Sequence, residues 1–155
     1  MQKAKKGKAK KIDGSKLKIG VIVSRFNEDI TKPMLEGALE ILKENKVKKN
    51  NIDVVRVPGS FEIPLACQRL TQTKRYDALV AIGCVIKGET DHYYYICNEV
   101  SRGIMNVMLK YNLPIGFGVL TCLNKKQAQV RSRGRENKGR EAAEAALAMV
   151  YSHNT

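Results

Sequence analysis

Four short runs of mostly β-branched apolar residues, each followed by a stretch whose apolar residues recur at helical spacing, set the narrowest limit on this chain. Residues 17–24 (LKIGVIVS) read as a strand, and 31–45 then carries Met34, Leu35, Ala38, Leu39, Ile41 and Leu42 on one helical face. The cycle repeats with strands predicted at 52–57, 78–86 and 114–121 and helices at about 60–73 and 91–111. A helical remainder has Ala142, Ala143, Ala146, Leu147 and Val150 along an apolar face. Strands that are apolar almost throughout are covered on both faces, and strand–helix alternation builds a parallel sheet. The expected fold is therefore α/β, a three-layer α/β/α sandwich around a four-stranded parallel sheet.

Length permits one such domain, since 155 residues suffice for one compact core. Hydrophobic residues at 43% and charged residues at 28% exclude wholesale disorder. The longest apolar runs, such as 78–86, fall short of the about 18 residues that suggest a membrane span. The formal charge of +13 is unevenly placed: eight lysines against Asp13 give residues 1–18 a charge of +7, leaving +6 for the other 137. Residues 1–16 read as a basic, disordered tail before a domain at 17–155, and non-specific nucleic-acid binding through that tail is an alternative to a merely solvated one. The tail resembles neither a secretion signal nor a transit peptide, so a cytoplasmic protein is expected. Cys67, Cys84, Cys97 and Cys122 lack paired spacing and only two histidines are present, which argues for reduced thiols and against a metal site or a disulfide framework.

In an open parallel sheet, ligands bind beyond the carboxyl ends of the strands. Those ends carry Arg25-Phe26-Asn27, Pro58-Gly59-Ser60-Phe61-Glu62, Lys87-Gly88-Glu89-Thr90-Asp91-His92 and Thr121-Cys122-Leu123-Asn124. The third is the richest. Gly88 permits close backbone approach, Thr90 or Asp91 can cap the helix, and Lys87 adds positive charge, an anion site in outline or an ordinary strand–helix turn. His92 is the leading proton carrier, because apart from His153 it alone has an unperturbed titration near neutrality; a plain surface histidine is the competing reading. Phe26 can stack on a planar heterocycle or tuck over the sheet edge. Glu62 can serve a helix dipole or a ligand, and Phe117, in mid-strand, reads as core from pattern alone. The basic stretch 125–140, with Arg131, Arg133, Arg135, Lys138 and Arg140, suits a phosphate clamp, a nucleic-acid surface or a solvated helix face.

Taken in order, these motifs resemble the lumazine synthase family of riboflavin biosynthesis. The resemblance runs from about 17 to 151 and rests on RFN at 25–27, PGSFEIP at 58–64, IGCVIKGETDH at 82–92, GVLT at 118–121, and Gln127-Ala128 with Arg131 and Asn137-Lys138-Gly139. It implies a flavodoxin-like fold and condensation of 5-amino-6-(ribitylamino)uracil with 3,4-dihydroxy-2-butanone 4-phosphate, with no metal or organic cofactor. It further implies that Phe26 stacks on the pyrimidine and that Ser60, Phe61 and Glu62 together with Cys84, Val85 and Ile86 hold the ribitylamino-uracil. By the same resemblance Glu89, Thr90 and Arg131 take the phosphate, supported by Lys87 and Lys138, while His92 transfers protons and Phe117 closes the pocket from a neighbouring subunit. The family forms pentamers, some gathered twelve at a time into icosahedral shells, and association with riboflavin synthase belongs to the same expectation. Lys87 stands where arginine is frequent, Glu89 where a small residue is usual and Asp91 where proline is common. A carboxylate beside a phosphate is unfavourable, so the Glu89 side chain is expected to point away. Two further readings are a non-catalytic flavin-binding module and a basic RNA-associated or shell protein.

Overall fold

A computed structural model describes residues 7–152. Among these residues four strands, β1 (Ile19–Ser24), β2 (Ile52–Val57), β3 (Ala78–Ile86) and β4 (Ile115–Cys122), pair in parallel in the order β2-β1-β3-β4. The helices are α1 (Glu28–Glu44), α2 (Ile63–Gln72), α3 (His92–Tyr111), α4 (Lys125–Arg131) and α5 (Lys138–Ser152). The three-layer arrangement is the one the alternation predicts and its flavodoxin-like topology the one the resemblance implies, and His153 lies outside the described residues.

Strand side chains alternate between two cores. Ile19, Val21 and Val23 of β1 pack with Met34, Leu42 and Leu147 of α1 and α5, whereas Ile22 packs with Ile63 and Ile104 of α2 and α3. Such side chains are almost wholly out of water, and each contributes roughly 1.5–3 kcal/mol relative to exposure. α5 lies unusually close to its neighbours. A Cβ at Gly139 would overlap the Met34 carbonyl, and one at Gly116 would overlap the carbonyl of Ala142, so glycine is what lets α5 settle against α1 and β4.

Several boundaries differ from the sequence reading, each for a local reason. α1 starts at Glu28 rather than 31, because its first turn is polar and Pro33 interrupts the apolar pattern. Pro33 has no N–H to offer the Asp29 carbonyl, which instead accepts from Arg133 Nη2 at 3.4 Å. The helix expected from 60 begins as a 3-10 turn, Ser60–Glu62, with α2 following at Ile63. The helical remainder consists of α4 and α5, parted at Gly134, whose φ of +58° is left-handed. Asn137, buried in the break, restarts the helix by accepting the Gly139 N–H at Oδ1, 2.9 Å. Phe117 is not core. It shares a sheet face with Ile115 and Val119 but sits on the edge strand and is 47% exposed.

At the opposite pole from the strand ends, Ile12 N–H donates to Asn45 Oδ1 at 2.9 Å and the Tyr151 hydroxyl donates to the Asp13 carbonyl. No helix among the described residues is long and apolar enough to cross a membrane.

Gly139→Ala should lower unfolding free energy by about 3 kcal/mol, the upper end of overpacking costs, because backbone rather than a movable side chain must give way. Urea denaturation measures this; a change below about 0.5 kcal/mol would contradict the packing described.

Candidate active site

Strand order reverses direction between β1 and β3, since β1 leads outward to β2 and β3 outward to β4. The loops leaving those two strands therefore diverge and open a crevice at their carboxyl ends. A cavity of about 710 Å³ occupies it, lined by Phe26, Ser60, Phe61, Glu62, Cys84, Val85, Ile86, Thr90 and His92 among the residues singled out in the sequence. Gly59, Gly88, Tyr93, Tyr95 and Ile96 complete the wall.

The β1–α1 loop is pinned at three points. Arg25 and Phe26 N–H groups donate to the Val57 and Pro58 carbonyls at 2.9 and 3.0 Å, extending the β1–β2 pairing past the strands. Asn27 then takes a left-handed conformation (φ 58°, ψ 47°), and its Nδ2 donates to the Cys84 carbonyl at 3.0 Å. The turn throws the Phe26 ring outward over the cavity, 70% exposed, so it is not tucked against the sheet edge. Glu62 Oε2 accepts the Gly59 N–H at 2.9 Å and stabilises the 3-10 turn from within the cavity wall. Beside it Ser60 is buried, its hydroxyl unpartnered among the described residues, next to the Cα of Gly83, where any side chain would collide with it.

The β3–α3 loop supplies the polar rim. Thr90 Oγ1 accepts the His92 N–H at 3.4 Å, whereas the Asp91 side chain makes no capping bond. His92 is exposed at the first position of α3. Glu89 is exposed and does not line the cavity. Lys87 turns aside as well, its Nζ 5.9 Å from the centre of the Tyr94 ring.

The other three candidates lie away from this cavity. Phe117 projects from the β4 edge, Arg131 donates from Nη1 to the Gln127 carbonyl at 3.0 Å, and Lys138 Nζ pairs with Glu141 at 2.9 Å. The cavity of one chain thus joins an aromatic ring, a histidine and an amide-rich turn but holds no arginine. Sequence reasoning passed over Asn27 as a positioning residue and Tyr93, Tyr95 and Ile96 as wall. The available signal was the run Tyr93-Tyr94-Tyr95, since three successive aromatics on a helix cannot all face one core.

The thiols are free: Cys67, Cys84 and Cys122 are buried and Cys97 is half-buried. Burial pushes Cys67 and Cys84 up to about 12. Burial likewise raises Cys122, against the pull of the nearby Arg131 guanidinium. Cys84 is consequently a neutral, inert floor to the cavity rather than a nucleophile.

An α/β chain of flavodoxin-like topology, with an aromatic-walled cavity and a polar strand–helix loop at its switch point, belongs to the class of small-molecule-binding α/β proteins. Comparison narrows this. The family model described as 6,7-dimethyl-8-ribityllumazine synthase matches residues 16–154. The chain is also 48% identical over 137 residues to the 6,7-dimethyl-8-ribityllumazine synthase of Coxiella burnetii (strain Dugway 5J108-111), covering 88% of this chain and 91% of that protein. The chain belongs to the 6,7-dimethyl-8-ribityllumazine synthase family.

Two outcomes follow from the site's construction. Asn27→Ala should cost roughly 1.5–3 kcal/mol, combining left-handed strain with a lost hydrogen bond. Asn27→Gly should recover the strain part, and equal losses in the two variants by thermal unfolding would refute the assignment. For the thiols, the folded values near 12 lie above the ordinary 9.0, so their contribution to stability is complete below pH 9 and declines as pH rises from 9 towards 12. Iodoacetamide at mildly alkaline pH should leave Cys67 and Cys84 unmodified until the protein unfolds; rapid labelling of either in the native protein would contradict their burial.

Proposed function

We propose that this chain is a transferase that condenses 5-amino-6-(ribitylamino)uracil with 3,4-dihydroxy-2-butanone 4-phosphate, forming 6,7-dimethyl-8-ribityllumazine with release of phosphate and water. Residues 17–155 form the catalytic domain, working in the cytoplasm. The observation that carries the reading is the convergence of Phe26, the Ser60–Glu62 turn and His92 on one cavity, from three separate strand ends.

In that cavity the Phe26 ring stacks on the flat pyrimidine, while the 60–62 turn and the 84–86 strand end meet its edge and the ribityl chain. The phosphate of the second substrate lies over Gly88, Glu89 and Thr90, with the Glu89 carboxylate in solvent. An imine forms between the carbonyl and the ring amine with loss of one water, phosphate leaves by elimination, and the second ring closes with loss of another. Each step moves a proton, and His92 is the cavity's imidazole, suited to accept and return it. Most of the acceleration comes from holding both substrates together, an effect on the order of 7–11 kcal/mol in favourable cases.

The missing guanidinium is supplied by a second copy. Arg131 and Phe117 lie at the β4 edge, outside their own chain's cavity, and Phe117 is exposed there. A cyclic pentamer that sets this edge against the next protomer's cavity would provide an arginine for the phosphate and a ring to close the pocket, with Lys138 and Lys87 as further support. Closure into a shell of twelve pentamers and association with riboflavin synthase are extensions of the same reading.

Mixing the two substrates and following the lumazine chromophore tests the proposal; no product above the uncatalysed rate would overturn it and favour a non-catalytic flavin-binding module. His92→Ala should slow turnover by roughly 10- to 100-fold, within the lower range of proton-transfer contributions. Arg131→Ala should raise KM for the phosphate substrate at least about 10-fold, the loss of one charge-assisted contact. Arg131→Ala protein mixed with Phe26→Ala protein should be more active than either variant alone if the site is shared between copies.

A further inference from the structure

A parallel sheet gathers all its helix-to-strand connections at one pole, opposite the ligand crevice. In this chain that pole is basic. The α1–β2 connection carries Lys46, Lys48 and Lys49, and the α2–β3 connection carries Lys74 and Arg75, all exposed. The N-terminal arm enters at the same pole, because Ile12 and Gly14 N–H groups are held by Asn45, at the C-terminal end of α1. Lys8, Lys10 and Lys11 stand exposed just before that anchor.

Helix dipoles explain only part of this charge. They favour a cation in the last turn, as at Lys43, Arg69 and Lys110, and the effect fades beyond it. Lys48 and Lys49 follow α1 by several residues, and the arm belongs to no helix. Nor is the charge neutralised locally. Asp53 pairs with Lys18 and accepts the Tyr76 hydroxyl, Asp77 accepts the Lys18 N–H, and Glu44 pairs with Arg140. Lys48, Lys49, Lys74 and the three arm lysines make no ion pair among the described residues. Lys46 and Lys74 also occupy left-handed positions (φ 65° and 57°) just past helix ends, where glycine or asparagine is the unstrained choice. Lysine stands there despite the strain.

We propose that this pole, together with the arm, is a docking surface for the phosphate backbone of single-stranded nucleic acid, separate from the cavity at the opposite end of the sheet. Lysines on three segments, with Arg75 the one arginine among the loop residues named and that one set over the Tyr76 ring at 5.6 Å, fit sequence-independent contact with phosphates rather than base reading. Lys8, Lys10 and Lys11 lie exposed on a stretch outside any helix or strand, which suits a thread-like polyanion better than a flat surface.

The test is anisotropy of a fluorescein-labelled oligouridylate of about 20 nucleotides, titrated with the full chain between about 50 and 200 mM salt, where affinity should fall at least about 300-fold. Deleting residues 1–11 should weaken binding at the lower salt at least about 10-fold and reduce the log–log salt slope by up to about 4, at 0.7 per phosphate for six lysines. Lys48→Glu with Lys49→Glu, in the full chain, should weaken it at least about fivefold, with melting temperature unchanged as the folding control. If the deletion compromises folding, Lys5→Gln, Lys6→Gln and Lys8→Gln together should give the same direction of change. Binding insensitive to salt, or equal in all variants, overturns the proposal. So does tight binding to phosphatidylserine vesicles with none to the oligouridylate. Lumazine formation should be the same with and without the oligouridylate, so this result and the turnover assay fail independently.

Discussion

Parallel pairing of β1 with β3 at the centre of the sheet is the constraint on which everything else rests. Val21 lies opposite Val80, Ile22 opposite Ala81, and Val23 opposite Ile82, with these side chains almost completely out of water. Because the two strands are co-directional, Phe26 and the 87–92 loop leave the sheet at the same pole, although β3 runs on to Ile86 past the end of β1 at Ser24. An antiparallel pair would have sent them to opposite ends. The switch of strand order between them then spreads the loops apart, and the resulting gap is large enough to take two small molecules.

Close backbone packing supports this arrangement from the far side. Gly139 and Gly116 let α5 lie against α1 and β4, and the Asn137 side chain bridges the Pro33 carbonyl and the start of α5. The Asp29 carbonyl released by Pro33 is taken up by Arg133, so the proline within α1 and the break between α4 and α5 are parts of one contact. On the cavity side the supports are hydrogen bonds rather than packing: Asn27 to the Cys84 carbonyl and Glu62 to the Gly59 amide. Rigid layers therefore carry loops that are individually short and pinned, which is what a site assembled from three strand ends requires.

The same topology separates two kinds of surface. Strand-to-helix loops at one pole combine small, aromatic and amide-bearing residues with charges of both signs, Arg25, Lys87, Glu89 and Asp91, while helix-to-strand loops at the other carry mainly lysine. A protein with chemistry at one end can thus carry charge at the other without raising the potential at its own cavity by direct contact.

Local sequence was sufficient for the sheet, for the order of its elements and for the polar clusters at its strand ends, because period-two and helical spacing survive wherever one face of an element meets a core. It was also sufficient, through five motifs in register, for the family. What it left open depended on partners distant in the chain. Phe117 reads as core by alternation, yet on the edge strand it is left 47% exposed while Ile115 and Val119 on the same face are buried. Lys87 reads as an anion ligand, yet the ring of Tyr94 draws it aside. The start of α1 was hidden by a proline whose lost hydrogen bond is made good by a residue about a hundred positions later. Which side chains share a cavity is decided by where the sheet ends, a property of the assembled layers and not of any one segment.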